Sequence, residues 1–239
     1  MQPESHKFLY SKTLIEEFLK STPHKANKLY LNNQKKSNLT HIIKLAKNQK
    51  IPIISTNFKK FSKILENYKN VPAILEISEF SYTNVETIEN RNTSLNIILL
   101  VYKVKDPRNL GAIMRTAKAF DIKGILITTQ DSSPINSTVI NTSRNNLLPT
   151  ARINNTFKTI QEFKSKGYKI LCLDNKGSKL INQINKIPDK TILILGGEKG
   201  IDNKIKELTE TIKIPTKNVE SLNTSVALAI SLFYFSSLQ

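Results

Sequence analysis

Cysteine and histidine are scarce in this chain of 239 residues. Cys172 is the only cysteine, which excludes an internal disulfide framework and a cage of thiolate metal ligands. The three histidines have no partner at helical i, i+4 spacing and no carboxylate cluster beside them, so we expect no metal site. A lone cysteine also favours a protein of a reducing compartment.

Long apolar runs are missing as well. Met1 is followed by the polar residues 2–7, where a signal peptide would have its apolar core. No apolar stretch approaches the roughly 18 residues that a membrane span needs. We therefore expect a cytoplasmic protein with no membrane partner.

Acidic residues are few compared with basic ones. Lys and Arg number 36 against 19 Asp and Glu, a net charge of +17 with a pI near 9.8. Residues 1–80 alone hold 14 lysines and six glutamates, with no arginine and no aspartate. This balance favours a polyanion such as RNA as the partner, although the richness in Lys, Asn and Ile leaves codon bias as an alternative source of part of the charge.

Two regions differ in their patterns. Residues 1–80 alternate helical stripes with short strands, as in a small αβ domain. The predicted helices centre on 14–19, 42–46 and 58–65, and the predicted strands on 29–31, 51–55 and 73–77. The next stretch is polar and lacks an apolar period, so we predict a linker over 81–95 and a second domain over 96–239.

The second region has continuous apolar runs, which indicate strands buried on both faces, as in a parallel sheet covered by helices. The fold class we expect is α/β. The predicted strands are 96–102, 124–128, 169–173 and 191–195, and the predicted helices are 112–120, 157–166, 203–210 and 225–235. The last helix has an apolar stripe that faces either the core or a partner, formed by Val226, Ala229, Ile230 and Phe233.

Three polar loops follow these strands, and open α/β sheets bind ligands at the carboxyl ends of their strands. The first, 106–111, leads into a helix with Arg115; the second is 195–200; the third spans 214–225. Each loop alone is also explained by turn and cap chemistry, with Asn109 as a helix cap. The second loop lacks GxGxxG and GxxxxGK[ST], so neither a dinucleotide nor a nucleoside triphosphate is indicated.

Ser221 in the third loop is not the nucleophile of a Ser-His-Asp triad. The chain has no histidine beyond His41, so such a triad would need a residue from the lysine-rich first region. We exclude a hydrolase on this ground.

In their order, the three loops resemble the three motifs of the SpoU/TrmH family of SPOUT RNA 2′-O-ribose methyltransferases. The matching residues are Asn109-Leu110-Gly111-(x3)-Arg115, Gly196-x-Glu198, and Ile214-Pro215 with Ser221-Leu222-Asn223-x-Ser225-Val226-Ala227. Residues 8–80 resemble the small ribosomal-protein-like RNA-binding domain of the RlmB-type members. Two stretches depart from the family pattern: Glu198-Lys199-Gly200-Ile201, where the family has Gly-x-Glu-Gly-x-Gly, and Ser143-Arg144-Asn145-Asn146, where it has a small Ser-x-Gly-Ala segment.

The resemblance implies a SPOUT domain with a parallel sheet and a C-terminal trefoil knot, and a homodimer whose site is completed across the interface. It implies S-adenosyl-L-methionine as the cofactor, contacted by Gly196, Ile214 and Leu222. The catalytic set that it implies is Asn109, Arg115, Glu198, Ser221 and Asn223. It implies as substrate a guanosine of large-subunit ribosomal RNA, with tRNA, or RNA binding without catalysis, as alternatives.

Overall fold

The computed structural model describes residues 8–21, 25–33, 38–57 and 71–238. They form two compact units. One contains the described residues up to Phe80 together with Ile135–Asn145, and the other contains Ser81–Pro134 and the described residues from Asn146 onward. Each unit has its own sheet.

The sheet of the first unit has four strands. They are β1 (Phe8–Leu9), β2 (Ala26–Asn32), β3 (Ile53–Thr56) and β4 (Ala73–Ile77), in the order β1-β4-β2-β3. β2 and β3 are parallel, and β4 is antiparallel to β1 and β2. The helices α1 (Lys12–Ser21) and α2 (Thr40–Asn48) follow β1 and β2.

The apolar stripes explain why these helices pack on the sheet. Leu14, Ile15, Phe18 and Leu19 are all buried on α1, and Ile42 and Ala46 are buried on α2. Spacings of three and four residues place such side chains on one helix face. The third predicted helix, around 58–65, lies outside the described residues.

The first unit also includes a segment from much later in the chain, Ile135–Asn145. It contains helix α5 (Ser137–Ser143), which Asn136 caps by accepting from Val139 N at 3.1 Å. The Asn141 side chain donates to the Phe8 carbonyl at 3.3 Å, and Asn145 donates to Ser21 Oγ at 3.2 Å. The second departure from the family pattern therefore falls largely in a segment that packs against the first unit.

The second unit is built on a seven-stranded sheet in which all neighbouring strands are parallel. The strands are β5 (Leu95–Tyr102), β6 (Ile122–Thr128), β7 (Thr150–Ile153), β8 (Lys169–Leu173), β9 (Lys179–Leu180), β10 (Thr191–Gly196) and β11 (Glu210–Lys213), in the order β7-β6-β5-β10-β8-β11-β9. The helices are α3 (Val85–Glu89), α4 (Pro107–Ala119), α6 (Thr156–Ser165), α7 (Asn203–Lys206) and α8 (Thr224–Ser236). The expected α/β class with a parallel sheet is confirmed.

The central strands are buried on both faces, as their apolar runs predicted. On one face, Ile98 and Leu100 of β5 and Ile192 and Ile194 of β10 form a core cluster with α6 and α7. On α4, Leu110, Ile113 and Met114 are buried, and α4 packs against α8. Within the described ranges, no helix has both the length and the apolar character needed to cross a bilayer.

The helix predicted over 203–210 is shorter than expected. α7 ends at Lys206, and Glu210 begins the strand β11, which pairs with β8. Ile212 is fully buried in that strand, which is consistent with strand preference following from packing in the sheet. Four residues are too few to show a clear strand period in the sequence.

The segment that we predicted as a linker contains α3. Asn84 caps this helix by accepting from Thr87 N at 2.7 Å, and Ile88 is fully buried among residues of the core cluster. α3 packs against β6 and β7. One buried isoleucine in a polar stretch gives no apolar period, which explains why the pattern favoured a linker.

Replacing Ile88 tests whether this segment belongs to the core. We expect Ile88→Ala to lower the free energy of unfolding by about 2–5 kcal/mol, the usual cost of such a truncation in a core. Urea denaturation followed by circular dichroism measures the change. Val219→Ala is the control, because Val219 is 56% exposed and its truncation should be nearly neutral. Equal stabilities of the two variants would show that 81–95 is a linker after all.

Candidate active site

A cavity of about 690 Å³ lies at the carboxyl edge of the second unit's sheet. Its volume is within the range of 300–1,000 Å³ that is usual for small-ligand sites. The loops after β8, β10 and β11 line it, together with the first turns of α4 and α8. Seven of the eight site residues that the resemblance implies line this cavity: Asn109, Gly196, Glu198, Ile214, Ser221, Leu222 and Asn223.

The loop after β10 is a tight turn. Gly200 N donates to Gly197 O at 2.9 Å, and Gly200 has a φ of 72°, a conformation that glycine adopts at little cost. Glu198 and Lys199 occupy the two central positions, so the turn exposes the Glu198 carboxylate at its tip. The departure from the family pattern thus lies in a compact turn that still brings Glu198 to the cavity.

Gly197 is needed where β10 ends beside β5. Its N–H donates to the Tyr102 carbonyl at 2.8 Å. A Cβ at this position would lie 2.2 Å from the Lys103 carbonyl oxygen, which no side chain tolerates. The backbone of the second loop therefore lies directly on the end of β5, close to the first loop.

Asn109 lies in the first turn of α4. The helix cap is Asp106, which accepts from Arg108 N at 2.8 Å, and Pro107 occupies the first helical position. The interpretation of Asn109 as a cap is therefore wrong, since proline is favoured directly after a cap. The Asn109 side chain is left available, and its Nδ2 donates to Glu198 Oε1 at 3.1 Å.

Asn223 caps α8 and approaches Asn109 from the third loop. Its Oδ1 accepts from Ser225 N at 2.9 Å and from Ser225 Oγ at 2.7 Å, which fixes its orientation. Its Nδ2 lies 3.5 Å from Asn109 Oδ1, at the outer limit of a hydrogen bond. The Asn109 amide thus contacts both other loops, with a donor to Glu198 and an acceptor to Asn223.

An ion pair that the sequence analysis missed forms another wall. The Asp174 side chain is 8% exposed and pairs with Lys206. Asp174 also accepts from Lys176 N at 2.8 Å, in the turn that follows β8. The signal was available, because this polar turn follows a predicted strand and so had to lie at the same edge of the sheet.

The remaining wall is apolar. Ile201 is buried, and Ile214, Leu222 and Ala227 are half-buried around the same space. A cavity with an apolar wall, an ion pair and several amides suits a ligand that combines a flat apolar part with polar and charged groups.

Arg115 is the implied site residue that the structure does not bring to this cavity. It is exposed, six residues after Asn109 on α4, and has no hydrogen bond or ion pair with any described residue. A separation of six residues rotates a helical side chain by about 240° from the position of Asn109. Arg115 therefore projects away from the Asn109 side of the helix.

The described part of the chain has no cluster of metal-ligating side chains, and its cysteine is buried. No three His, Cys, Asp or Glu side chains within those ranges lie together as a metal site requires. Burial raises the pKa of the Cys172 thiol to about 11, so this thiol is not a nucleophile at neutral pH.

The comparison with known protein families decides the assignment. Residues 96–233 match the sequence profile of the SpoU rRNA Methylase family, a match that covers more than half of the chain. The chain belongs to the SpoU rRNA methylase family. The matched residues include the cavity and all eight residues named from the resemblance.

Individual relatives extend the similarity beyond the matched region. An uncharacterized tRNA/rRNA methyltransferase of Borreliella burgdorferi is 39% identical over 216 residues, which is 84% of this chain and 94% of the relative. The SpoU methyltransferase AviRb of Streptomyces viridochromogenes, solved with AdoMet, is 16% identical with a TM-score of 0.77 over 96% of this chain and 89% of that one. A solved RNA 2′-O ribose methyltransferase is 18% identical with a TM-score of 0.76 over 98% of this chain and 90% of that one. At these identities the two structures show a shared fold.

Proposed function

We propose that this SpoU family protein transfers the methyl group of S-adenosylmethionine to a ribose 2′-hydroxyl of RNA, and that the target is a guanosine of large-subunit ribosomal RNA. The observation that carries the proposal is the Asn109 amide, which links three loops around one cavity within the family region. The names of the relatives, which refer to tRNA, rRNA and 2′-O-ribose methylation, support the same reaction. The net charge of +17 favours RNA as the substrate.

The cavity of about 690 Å³, called the first cavity from here on, fits the proposed cofactor. Ile214, Leu222 and Ala227 offer an apolar wall for an adenine ring, and the Asp174–Lys206 pair offers opposite charges for an amino-acid group. The half-buried backbone of Gly196 lets a ligand approach the main chain closely. When bound, S-adenosylmethionine supplies an electrophilic methyl group on a sulfonium centre.

The residues of the chain would act mainly by positioning. A ribose hydroxyl is a very weak acid, so it stays protonated and is a poor nucleophile. The reaction therefore depends on holding the 2′-oxygen in line with the methyl group. Glu198 accepts from Asn109 Nδ2, which leaves Asn109 Oδ1 directed to the third loop. Asn109, Ser221 and Asn223 would then orient the ribose, and Glu198 would hold Asn109.

Arg115 would grip the RNA phosphate and stabilise negative charge on the 2′-oxygen. Its guanidinium stays protonated in proteins and so is no general base. Because Arg115 lies away from the cavity of its own subunit, we assign this role to the cavity of a second subunit in a homodimer. The exposed stripe on α8, formed by Val226, Ile230 and Phe233, starts beside the cavity residue Ala227 and supports such an interface.

The first unit would supply affinity for the RNA backbone. Lys44, Lys47 and Lys50 are exposed on and directly after α2, without a carboxylate partner among the described residues. Contacts of this kind are sequence-poor and salt-dependent. We further propose that the chain divides into an RNA-binding domain and a methyltransferase domain, as in the RlmB-type members. We also propose a C-terminal trefoil knot and a cytoplasmic location.

Product analysis tests the reaction. The full chain is incubated with S-adenosylmethionine labelled in its methyl group and with unmodified transcripts of large-subunit ribosomal RNA or, in parallel, of tRNA. We expect label in the ribosomal RNA and, after digestion to nucleosides, a 2′-O-methylnucleoside by mass spectrometry. Label only in tRNA would assign the alternative substrate, and label in a base would contradict the reaction. Binding of RNA without any transfer would support the non-catalytic alternative.

Arg115→Lys tests the role of the guanidinium. The lysine keeps the charge but loses the forked geometry, so we expect methyl transfer to fall by about 10²-fold. Affinity for S-adenosylmethionine, measured by calorimetry, should stay near that of the wild type. Lys118→Arg, also exposed on α4, is the control and should leave the rate unchanged.

Mixing two variants with impaired methyl transfer tests the shared site. A hybrid of Arg115→Lys and Asn109→Ala subunits has one cavity with both an intact Asn109 and an intact arginine from the other subunit. Exchange of subunits should therefore restore part of the activity. No recovery, or a monomer by light scattering at micromolar concentration, would contradict the dimeric arrangement.

A further inference from the structure

A second cavity lies at the same edge of the sheet and is not used by the proposed reaction. Its volume is about 520 Å³, and it lies at the ends of β5, β6 and β7, whereas the first cavity lies by β8, β10 and β11. We name it the Phe157 cavity, and the lining residues that matter here are Lys103, Gln130, Asn154, Phe157, Asp202 and Lys204. Its size is again that of a small-ligand site.

Phe157 is an aromatic side chain without a structural role in the core. It lies in the first turn of α6 and is 42% exposed, whereas Ile160 and Phe163 are the buried residues of that helix. An exposed ring at the wall of a polar cavity gives a flat surface on which a nucleobase can stack.

Amide groups surround this ring. Asn154 Oδ1 accepts from Thr129 Oγ1 at 2.7 Å, and its Nδ2 has no partner among the described residues. The exposed side chain of Gln130 likewise has no hydrogen bond within the described ranges. Amides that offer both donors and acceptors suit the edge of an unpaired base.

The charge of the cavity favours an anion. Lys103 pairs with Asp202 at 2.8 Å, so these two charges cancel. Lys204 is exposed and has no ion pair with a described residue, which leaves a net positive charge. The N–H groups of Thr156 and Phe157 in the first turn of α6 have no intrahelical acceptor, and such groups also attract anions.

Consecutive residues line the two cavities. Ile201 lines the first cavity and its neighbour Asp202 lines the second. Tyr102 Oη donates to Asp202 at 2.6 Å, and hydrogen bonds from Lys103 and Tyr102 hold the pKa of Asp202 below its usual value. A group bound in one cavity is therefore close to a group bound in the other.

We propose that the Phe157 cavity binds one unpaired nucleotide of the substrate RNA, next in space to the nucleotide that is methylated. The base stacks on Phe157 and meets the amides of Asn154 and Gln130. Its phosphate lies at Lys204 and the first turn of α6. The cavity therefore contributes to the choice of RNA site, and this inference rests on the proposed function.

The experiment compares RNA affinity and the position of a crosslink in the full chain. The probe is the unmodified RNA transcript, ribosomal or tRNA, that the wild type binds more tightly. Phe157→Ala should weaken binding by about tenfold, the scale of one lost stacking contact, while Phe157→Tyr keeps a flat ring and should stay within about twofold. Lys204→Gln should lower the slope of log affinity against log salt by about 1, and Lys186→Gln, an exposed residue that lines neither cavity, serves as its control.

Two further measurements separate binding from folding and from the cofactor. Circular dichroism melting and calorimetry with S-adenosylmethionine should give wild-type values for Phe157→Ala, since the ring is exposed and outside the first cavity.

RNA containing 4-thiouridine should crosslink to the tryptic peptide 153–158, which contains Asn154 and Phe157.

The outcomes distinguish this inference from the proposed function. Unchanged RNA affinity of Phe157→Ala together with normal methyl transfer overturns the nucleotide site and leaves the reaction intact. A tenfold loss of RNA affinity in an enzyme that transfers no methyl group supports the nucleotide site and overturns the reaction. A wild type that binds neither RNA overturns both.

Discussion

The contacts of the Asn109 side-chain amide are the central interactions of the candidate site. Its Nδ2 donates to Glu198 at 3.1 Å, and its Oδ1 faces the Asn223 side chain at 3.5 Å. Asn109 lies at the start of α4, Glu198 after β10 and Asn223 at the start of α8. One side chain therefore contacts both other loops, and a side chain without both a donor and an acceptor cannot make the two contacts.

The parallel sheet brings these loops close together. β5 and β10 are neighbours, so the loops that follow them leave the same edge side by side. Gly197 allows the backbones to touch, because any Cβ there would collide with the Lys103 carbonyl. The same edge carries the first cavity by β8, β10 and β11 and the Phe157 cavity by β5, β6 and β7. The cofactor site and the RNA nucleotide site that we propose would thus lie on one scaffold.

Much of this arrangement could be predicted from the sequence, since buried parallel strands such as β5 and β10 leave long apolar runs. The short strands could not be predicted in this way. The strand β11, for example, pairs with β8 in the sheet but has no clear local pattern in the sequence. The packing of Ile135–Asn145 against the first unit depends on contacts far apart in the chain. The position of Arg115 away from Asn109 follows from helix geometry, because six residues turn a helical side chain by about 240°.

A double-mutant cycle tests most directly whether Asn109 and Glu198 work as one unit. Single-turnover methyl transfer is measured for Asn109→Ala, for Glu198→Ala and for the double variant, with saturating S-adenosylmethionine. If Glu198 acts by holding Asn109, its removal costs little once Asn109 is gone, and the double variant should be about as slow as Asn109→Ala alone. Losses that multiply, so that the double variant is slower by the product of the two single effects, would contradict this account.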